Sequence, residues 1–434
     1  MAVGGTYYAV IDCDNCFVSC ERVFRPDLNG KAVVVLSNND GCVVARSNEA
    51  KQLGIKAGMP FYKLRSEFRD REIAVFSGNH ELYGELTQRV MSLLQAEGAT
   101  FVRYSIDEAF LIFGDRDGAT LKLWGEGMHN KIMRHVGIPV SIGIAPNKTL
   151  AKMASHFAKR YANYHHCCAM DTEEKRIKAL KLVAIDDVWG IGRRNSVKMH
   201  EYGIATAYDF SVRNESWVRS EFNITGLRTW RELHGEDSIE TETPSLRKSI
   251  RVSRSFDGMI SDYEVVRMFV AEYASLCAEK LRRQHTFATA VGVFIDTNRF
   301  RTDLQQYSNY EELRLLTPTD SSIVITQTAT ACLEKMWREG LQYKRAGVVV
   351  ASTDEGSGIQ TNLVDFDSER YGLLQRLDRV IDSINKQEGK GTIVLGSQPI
   401  APRSKEDSKP EGASRQEFRS PCYTTRWSDI IELH

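Results

Sequence analysis

The sequence predicts a multidomain α+β protein. Its 434 residues are too many for one compact core. Strand and helix patterns alternate through residues 7–160, and a second alternating block follows residue 247. With 42% hydrophobic and 26% charged residues, the composition is that of an ordinary globular protein. Because no apolar run reaches about 18 residues, we expect no membrane span.

The first block is predicted from the spacing of its apolar residues. Strands are expected at residues 7–11, 32–36, 101–104, 109–113 and 140–145, and helices at 17–24, 47–53, 81–97, 122–135 and 149–160. The helix at 81–97, for example, carries Leu82, Leu86 and Val90 on one face. This order of elements fits an antiparallel-rich sheet that is covered by helices on one face.

Three further regions follow. Residues 171–237 are predicted to form a small helical domain, in which the turn from Gly190 to Gly192 exposes backbone N–H groups that suit phosphate. After a polar linker, a basic strand at 247–255 places Arg247 and Arg251 on one face, which could follow a sugar-phosphate backbone. Helices at 265–284 and 322–337 and strands at 290–295 and 346–351 complete a second α+β domain. The rest is predicted to be a tail that is disordered at 397–416 and ordered again at 423–433.

Three carboxylates are the main candidates for chemistry. Asp12 closes the first strand, and Asp107 and Glu108 lie between the two strands of the expected hairpin. Acidic side chains beside buried strands cost free energy unless their charge is compensated. Mg²⁺ is the expected compensation because it prefers hard oxygen ligands, and two such ions can support a phosphoryl transfer. In the alternative, all three are solvated turn residues.

Other interpretations of these patterns stay open. Lys148, Lys152 and Lys159 share a helix face, which is either an ordinary solvated face or a cationic wall for a triphosphate. The DxD pattern that begins at Asp12 occurs in haloacid-dehalogenase-like phosphatases, but Cys16 replaces their usual Thr or Val. Sheets with two acidic sites also occur in nucleotide cyclases, which need neither the basic second domain nor the glycine turn.

Cysteine content and charge bear on compartment and partners. Cys13, Cys16 and Cys20 form one superficial metal-site pattern, and Cys167 and Cys168, next to two histidines, form another. The first group runs from a strand into the next element, and the adjacent pair lacks chelate spacing, so reduced thiols in a cytosolic protein are the better interpretation. The N-terminus has no pattern of a secretion signal. The 57 basic and 57 acidic residues cancel, so only local clusters could bind nucleic acid.

Several motifs also occur in the order found in one enzyme family. They are residues 12–21 (DCDNCFVSCE), 24–28 (FRPDL), 33–42 (VVVLSNNDGC), 104–110 (YSIDEAF) and 147–152 (NKTLAK). Together they resemble the Y-family translesion DNA polymerases. Residues 187–194 (DVWGIGRR), 316–319 (LTPT) and 420–429 (SPCYTTRWSD) resemble, more narrowly, the UmuC type, the catalytic subunit of bacterial DNA polymerase V.

This resemblance implies a right-hand polymerase with a ferredoxin-like palm, small fingers, a helical thumb and an α+β little-finger domain. The palm would be residues 1–20 and 78–170, the fingers 21–77, the thumb 171–237, the linker 238–246, the little finger 247–353 and the C-terminal tail 354–434.

The resemblance also implies roles for individual residues. Asp12, Asp107 and Glu108 would be the catalytic metal ligands. The backbone carbonyl of Cys13 would be a further donor to two Mg²⁺ ions, for which Mn²⁺ can substitute. Because neighbouring side chains on an extended strand point in opposite directions, Asp107 and Glu108 can share a site only near the turn. Phe17 falls on the steric gate that excludes a ribose 2′-OH. The implied nucleotide contacts are Cys16, Asn48, Lys51 and Lys159. The glycine turn and the basic strand give the expected DNA contacts, which are Gly190, Gly192, Arg193, Arg247, Arg251 and Arg254.

Some positions depart from the family pattern. Many relatives have Tyr where this chain has Phe17, and often Tyr and Arg where it has Asn48 and Lys51. Since a lysine is a point charge rather than a bidentate fork, the grip on a triphosphate is expected to be looser.

The activity that the resemblance implies is error-prone, template-directed addition of dNTPs to a primer 3′-OH, in DNA damage tolerance and SOS mutagenesis. The implied setting is the bacterial cytoplasm, at the nucleoid. The implied partners are primer–template DNA, a processed UmuD-like dimer, a RecA filament and a sliding clamp. Gln360, Leu363 and Phe366 resemble a clamp-binding peptide, with the aromatic residue one position too far along. The competing class is a non-catalytic DNA-binding scaffold descended from a polymerase, which would have no reason to keep all four of Asp12, Asp107, Glu108 and Lys159.

Overall fold

The computed structural model describes residues 5–240, 246–353, 366–389, 391–399, 411–413, 415–424 and 426–431. The chain divides into two units, which are residues 1–242 together with 416–434, and residues 243–415. Every helix in the described ranges is too short or too polar to cross a membrane.

A small three-stranded sheet follows the first strand and helix of the chain, β1 (Gly5–Cys13) and α1 (Cys16–Phe24). Its elements are β2 (Ala32–Leu36), β3 (Val43–Arg46), α2 (Asn48–Gln52), α3 (Phe61–Glu67) and β4 (Ile73–Ser77). The continuous apolar run of β2 is wholly buried at the centre of the order β3-β2-β4. β2 is antiparallel to β3 and parallel to β4, and Ala50 of α2 and Leu64 of α3 pack in the same core. This small sheet occupies the region predicted as fingers.

A larger sheet carries the candidate chemistry. The next elements are α4 (His80–Gln95), β5 (Thr100–Arg103), β6 (Glu108–Arg116), α5 (Gly118–Val136), β7 (Val140–Ala145), α6 (Lys148–Arg160) and β8 (Cys167–Ala169). With β1 they form a five-stranded sheet of order β5-β6-β1-β7-β8. All neighbours are antiparallel except β7 and β8, so the prediction of an antiparallel-rich sheet is confirmed.

Helices cover both faces of this sheet, and the prediction of a single covered face is wrong. Along β1, Ala9 and Ile11 pack in one core with residues of α4 and α5, whereas Tyr8 and Val10 pack in a second core with residues of α6. The reason is that α6 has a buried apolar stripe of its own, which needs a second sheet face.

A small helical region follows, as predicted for residues 171–237. Its helices are α7 (Glu173–Leu182), α8 (Arg193–Glu201), α9 (Ala207–Ser211) and α10 (Glu215–Leu233). α10 is kinked at Asn223, which has a φ of 56°. The apolar residues of this region continue the core of the α6 face. Asn147 ties the two parts together, because its side-chain amide donates to the carbonyl oxygen of Glu232 at 2.8 Å.

The second unit is a four-stranded antiparallel sheet with one open face. Its elements are β9 (Ser249–Ile260), α11 (Tyr263–Arg283), β10 (Ala288–Thr297), β11 (Ser308–Thr319), α12 (Ser322–Met336), β12 (Tyr343–Ser352) and α13 (Ser368–Gln387), and the sheet order is β11-β10-β12-β9. Ile250 and Val252 of β9 face the core that holds α11 and α12, whereas Arg251 between them is exposed. β11 was not predicted because its charged residues interrupt any apolar alternation.

The region predicted as a single tail is divided between the two units. α13 belongs to the second unit, where Asp378 and Asp382 pair with Arg282 of α11. Residues 416–424 belong to the first unit, where Phe418 and Ser420 contact the region around β4 and α4. Specific buried contacts therefore order two parts of a stretch whose composition alone predicted looseness. Residues 400–410, within the predicted disordered linker, lie outside the described residues.

Candidate active site

The ends of β1 and β6 bring two of the three predicted carboxylates together. Asp12 and Glu108 are direct partners in the antiparallel register of these strands, so their side chains leave the same face. The predicted hairpin forms, with β5 ending at Arg103 and β6 beginning at Glu108. Between them the chain turns, and the carbonyl oxygen of Asp107 accepts the Cys13 N–H at 3.0 Å.

Two lysines of α6 neutralise this acidic pair. The Lys159 ammonium lies 2.7 Å from Asp12 Oδ1 and 3.2 Å from Asp14 Oδ1, and Lys152 forms an ion pair with Glu108. Burial alone would lower the pKa of Lys159, but the carboxylates of Asp12 and Asp14 outweigh burial, and its pKa is raised. Burial raises the pKa of Glu108, against the effect of Lys152 and with a further contribution from Asp12. Both carboxylates are thus in a site where cations are favoured.

The Asp107 carboxylate points to a different partner. Its Oδ1 accepts the Ser105 hydroxyl at 2.6 Å, and the same hydroxyl oxygen accepts the Glu108 N–H at 3.0 Å. Across the described residues, no three His, Cys, Asp or Glu side chains are grouped closely enough to hold a metal ion. The structure therefore brings together Asp12 and Glu108 of the predicted metal ligands, and places Asp107 beside them with its carboxylate on Ser105.

The first turn of α1, which follows β1 directly, carries the aromatic ring of Phe17. Asn15, with a φ of 48°, makes the turn from β1 into α1. The half-buried Phe17 ring stacks on Tyr83 at a centroid distance of 4.6 Å and meets His80 edge-on at 5.4 Å. The Cys16 side chain is only 6% exposed and packs in the core, so a contact of Cys16 with a nucleotide would have to come from its backbone. The contact itself stays a prediction.

Two residues of α2 reach the same end of β1. Lys51 Nζ donates to Asn15 Oδ1 at 2.6 Å, and the Asn15 amide donates to Asn48 Oδ1 at 3.1 Å. Burial lowers the pKa of Lys51, and the nearby positive charge of Lys159 lowers it further. Two lysines from different elements thus repel one another across one cleft, an arrangement that a polyanion would relieve.

The glycine turn of the helical region has exposed backbone, as its motif predicts. Gly192 is the N-cap of α8, and Gly192 and Arg193 are exposed. Gly190 has a φ of 88°, and a Cβ there would lie 2.8 Å from the Thr229 hydroxyl. Between the glycines and the hairpin, the Trp189 indole N–H donates to the Tyr104 hydroxyl at 3.3 Å.

The predicted arginines of the second unit divide between two faces. Arg251 is on the open face of the sheet, where its guanidinium lies 4.0 Å from the Phe294 ring centroid, and Arg345 lies on the same ring at 5.3 Å. Arg247 precedes β9 and is exposed. Arg254 is on the helix-covered face, 3.7 Å from Glu272 of α11. Arg254 thus lies on the opposite face from Arg251, because of the alternation of β9, and its contact with DNA stays a prediction.

The predicted clamp peptide cannot be located as a whole. Gln360 and Leu363 lie outside the described residues. Phe366 is described, just before α13, with its ring 5.4 Å from that of Tyr371.

The structure also adds residues that the sequence analysis did not place in the site. The sequence analysis considered Lys152 only as one of three lysines on a helix face. Its ion pair with Glu108 depends on how α6 packs against β6. Asp14 holds both Lys159 and the Ser141 hydroxyl. Lys148, by contrast, does not reach the site. It is buried over the Tyr8 ring at 4.5 Å, and its ammonium donates to the carbonyl oxygen of Ile239. All nine cysteines are free thiols.

Comparisons with known proteins agree with this architecture. Residues 11–156 match the impB/mucB/samB family, residues 247–363 match its C-terminal domain, and residues 375–433 match a domain of unknown function (DUF4113). Protein UmuC of Salmonella typhimurium is 38% identical over 98% of this chain and 100% of its own length. The chain belongs to the impB/mucB/samB family. Its resemblance to the UmuC type is thereby confirmed.

More distant members and solved structures extend the comparison. DNA polymerase IV of Corynebacterium diphtheriae is 30% identical over 57% of this chain and 54% of its own length. A solved Y-family DNA polymerase chimera aligns with a TM-score of 0.63 at 20% identity, over 82% of this chain and 100% of the chimera. An insertion ternary complex of Dbh DNA polymerase aligns with a TM-score of 0.54 at 19% identity, over 80% and 99% of the two chains. The predicted fold, an α+β multidomain Y-family polymerase, is confirmed.

Proposed function

We propose that this impB/mucB/samB family chain is an error-prone translesion DNA polymerase, which adds dNTPs to a primer 3′-OH under the direction of a damaged template. The observation that carries the proposal is the pairing of Asp12 with Glu108 at the end of the central strands, next to Lys51, Lys159 and the Phe17 ring. One end of this sheet thus carries carboxylates that suit a metal, lysines that suit a triphosphate and an aromatic ring that suits a sugar.

Asp12 and Glu108 offer hard oxygen donors, which fit Mg²⁺. The backbone carbonyl of Cys13 and the Asp107 carboxylate, once it leaves Ser105, would complete the donor set. When bound, two Mg²⁺ ions, or Mn²⁺ in their place, lower the pKa of an attacking hydroxyl and neutralise charge on the triphosphate. The chain's remaining task is to position the substrates.

The cations of the cleft fit a triphosphate. Lys51 and Lys159 come from elements on opposite sides of the site, and Asn48 adds an amide that is already part of the Lys51 network. In the free protein Lys159 is held by Asp12 and Asp14. Phosphate oxygens offer this ammonium equivalent charge-assisted hydrogen bonds. Phe17 would then lie beneath the sugar and exclude a 2′-OH.

The template and primer would be held by sequence-independent contacts. The exposed N–H groups at Gly192 and the side chain of Arg193 suit a phosphate at the start of α8. Arg251, supported on Phe294, suits phosphates along the open sheet of the second unit. Following the UmuC-type relationship, we infer that a processed UmuD-like dimer, a RecA filament and a sliding clamp are partners during SOS mutagenesis at the nucleoid.

Primer extension with purified protein tests the proposal. In Mg²⁺, the wild-type chain should extend a primer on undamaged and abasic templates. Glu108→Ala and Asp107→Ala should abolish extension while primer–template affinity is retained, because removing acid from a DNA site weakens no phosphate contact. Glu174→Ala, at an exposed acid of α7, is the control and should extend normally. Normal extension by both site variants would reject the assignment of Asp107 and Glu108 as metal ligands. If the wild-type chain, even with its partners added, binds DNA without extending the primer, the result would favour the non-catalytic scaffold.

A further inference from the structure

The C-terminal segment, defined as residues 417–424, lies against the elements that support the Phe17 ring. The backbone of Phe418 pairs with the end of β4, where its carbonyl accepts the Ser77 N–H and its N–H donates to the Ser77 hydroxyl, both at 3.0 Å. The Phe418 ring packs edge-on against Phe61 at 5.5 Å, and the Tyr423 ring stacks on Phe24 of α1 at 4.5 Å. The segment is thus fixed at both ends by backbone and aromatic contacts.

Between these anchor points the segment holds the first turn of α4. Asn79 is the N-cap of α4, and its Oδ1 accepts the Leu82 N–H at 3.4 Å. The other end of the same amide donates to the Ser420 carbonyl at 3.2 Å and to the Ser420 hydroxyl at 3.0 Å. Arg419 adds an ion pair to Glu81 at 2.9 Å. The orientation of the cap, and with it the start of α4, therefore depends on the C-terminal segment.

A buried carboxylate makes a second link. Glu21 of α1 is fully buried, and its Oε1 accepts two hydroxyls, that of Tyr83 at 2.7 Å and that of Ser420 at 3.0 Å. Its Oε2 is buried without a hydrogen-bond partner in the described part of the chain. An ionisable side chain in such a place needs both of these donors. Loss of the Ser420 hydroxyl would leave Tyr83 as the one hydroxyl donor to Glu21.

Tyr83 and His80, both on the first turns of α4, are the two rings against which Phe17 rests. Tyr83 is fully buried and stacks on Phe17 with an interplanar angle of 17°, and His80 meets Phe17 at 85°. A ring that excludes a 2′-OH must be held within a fraction of an ångström, since the hydroxyl it rejects is one small atom group. The position of Phe17 thus depends on Tyr83, which is held by Glu21.

We propose that the C-terminal segment is a positioning element of the sugar gate, which acts through Ser420, Glu21 and Tyr83 on Phe17 and so sets the discrimination between dNTPs and ribonucleotides. This inference rests on the proposed polymerase function. It gives the end of the domain of unknown function a specific task in a site formed some 340 residues earlier, as the separation of Asn79 and Ser420 shows.

The test compares the ratio of kcat/KM for a dNTP to that for the matching ribonucleotide in the full-length protein. Tyr83→Phe keeps the stacked ring but removes its hydroxyl, and Ser420→Ala removes the donor from the segment. Each should lower the ratio by about threefold to tenfold, less than the full effect of losing a hydrogen bond to a carboxylate, because only part of that loss would reach Phe17 through Glu21. Because both act through Glu21, the double variant should lower the ratio little further. A partly unfolded variant loses both activities equally, which leaves the ratio unchanged.

Two further variants separate positioning from general damage. Glu21→Gln keeps an acceptor for both hydroxyls and should keep the ratio within about twofold of wild type. Tyr202→Phe is the control. It removes a hydroxyl that also donates to a carboxylate, that of Glu221 at 2.8 Å, but at the C-cap of α8, and it should leave the ratio unchanged.

The outcomes distinguish this inference from the proposed function. An unchanged ratio in both Tyr83→Phe and Ser420→Ala, while Phe17→Ala lowers it, would overturn the role of the segment and leave the polymerase assignment intact. An unchanged ratio in Phe17→Ala would overturn the gate and this inference with it. Failure of the wild-type chain to extend any primer would overturn the proposed function itself.

Discussion

Replacing Lys159 by methionine separates nucleotide binding from chemistry. Methionine keeps the length and apolar stem of the side chain but removes its charge. In the wild-type protein, the Lys159 ammonium lies at the end of α6, 2.7 Å from Asp12 and 3.2 Å from Asp14. It faces the cleft that also holds Lys51. If Lys159 contacts the triphosphate, its loss should weaken nucleotide binding more than it slows the bond-forming step.

The size of the effect follows from the exposure of the side chain. A hydrogen bond to a charged group contributes about 1.5–3 kcal/mol. Because 36% of the Lys159 side chain is exposed, solvent screening favours the lower end of that range. Since about 1.4 kcal/mol is a factor of ten in an equilibrium constant, we expect the apparent dissociation constant for the nucleotide to rise about tenfold.

Single-turnover primer extension over a range of dNTP concentrations measures that constant apart from the maximal rate. Lys178→Met, at an exposed lysine of α7, is the charge-matched control and should behave as wild type. An unchanged dissociation constant for Lys159→Met would refute the assignment of Lys159 to the triphosphate. So would an equal loss in Lys178→Met, since that would point to net charge rather than to a contact.

Three more results are expected. Burial holds the pKa of Glu21 above its ordinary 4.5, so wild-type stability is lost as pH rises from 4.5 through the raised value. Urea midpoints should therefore show Glu21→Gln gaining stability over wild type as pH rises above 4.5, and a constant difference would contradict this. Arg282→Leu, at a side chain 10% exposed and paired with the buried Asp378 and the half-buried Asp382, should cost about 3–5 kcal/mol in denaturant unfolding. Arg283→Leu, at an exposed pair, should cost under about 1 kcal/mol; equal losses would contradict the buried pairing. Arg251→Ala should weaken DNA binding and lower its salt slope by about 1, and Arg254→Ala, on the opposite face, should do neither; equal effects would contradict the assignment of faces.

Local sequence signals predict the elements that carry the site. The apolar run before Asp12, the two runs around Asp107 and Glu108, and the apolar face of the helix at 81–97 are visible within a few residues of the positions they determine. The resulting strands β1 and β6 pair in the register that places Asp12 opposite Glu108. Period-two and period-3.6 patterns are therefore sufficient for β1, β5, β6 and β7, for the hairpin and for the helices of this sheet, whereas β8, only three residues long, was not predicted.

Contacts between distant residues could not be predicted in this way. Lys148 and Lys152 share a helix face, yet Lys148 is buried over Tyr8 while Lys152 reaches Glu108, because their surroundings come from other parts of the chain. The return of Ser420 to Asn79 leaves no periodic signal, since its hydrogen bonds are made by a short irregular segment. Composition described that region as loose, and tertiary contacts ordered it.

The central claim is that Asp12 and Glu108 bind the ions that perform the chemistry. Electron paramagnetic resonance of Mn²⁺, titrated into the complex with a dideoxy-terminated primer–template and the next dNTP, counts these ions directly. Two bound Mn²⁺ are expected for the wild-type chain, and the loss of at least one in Asp12→Asn and in Glu108→Gln, with DNA affinity retained. Equal numbers of Mn²⁺ bound with equal affinity by the wild-type chain and both variants would contradict the account.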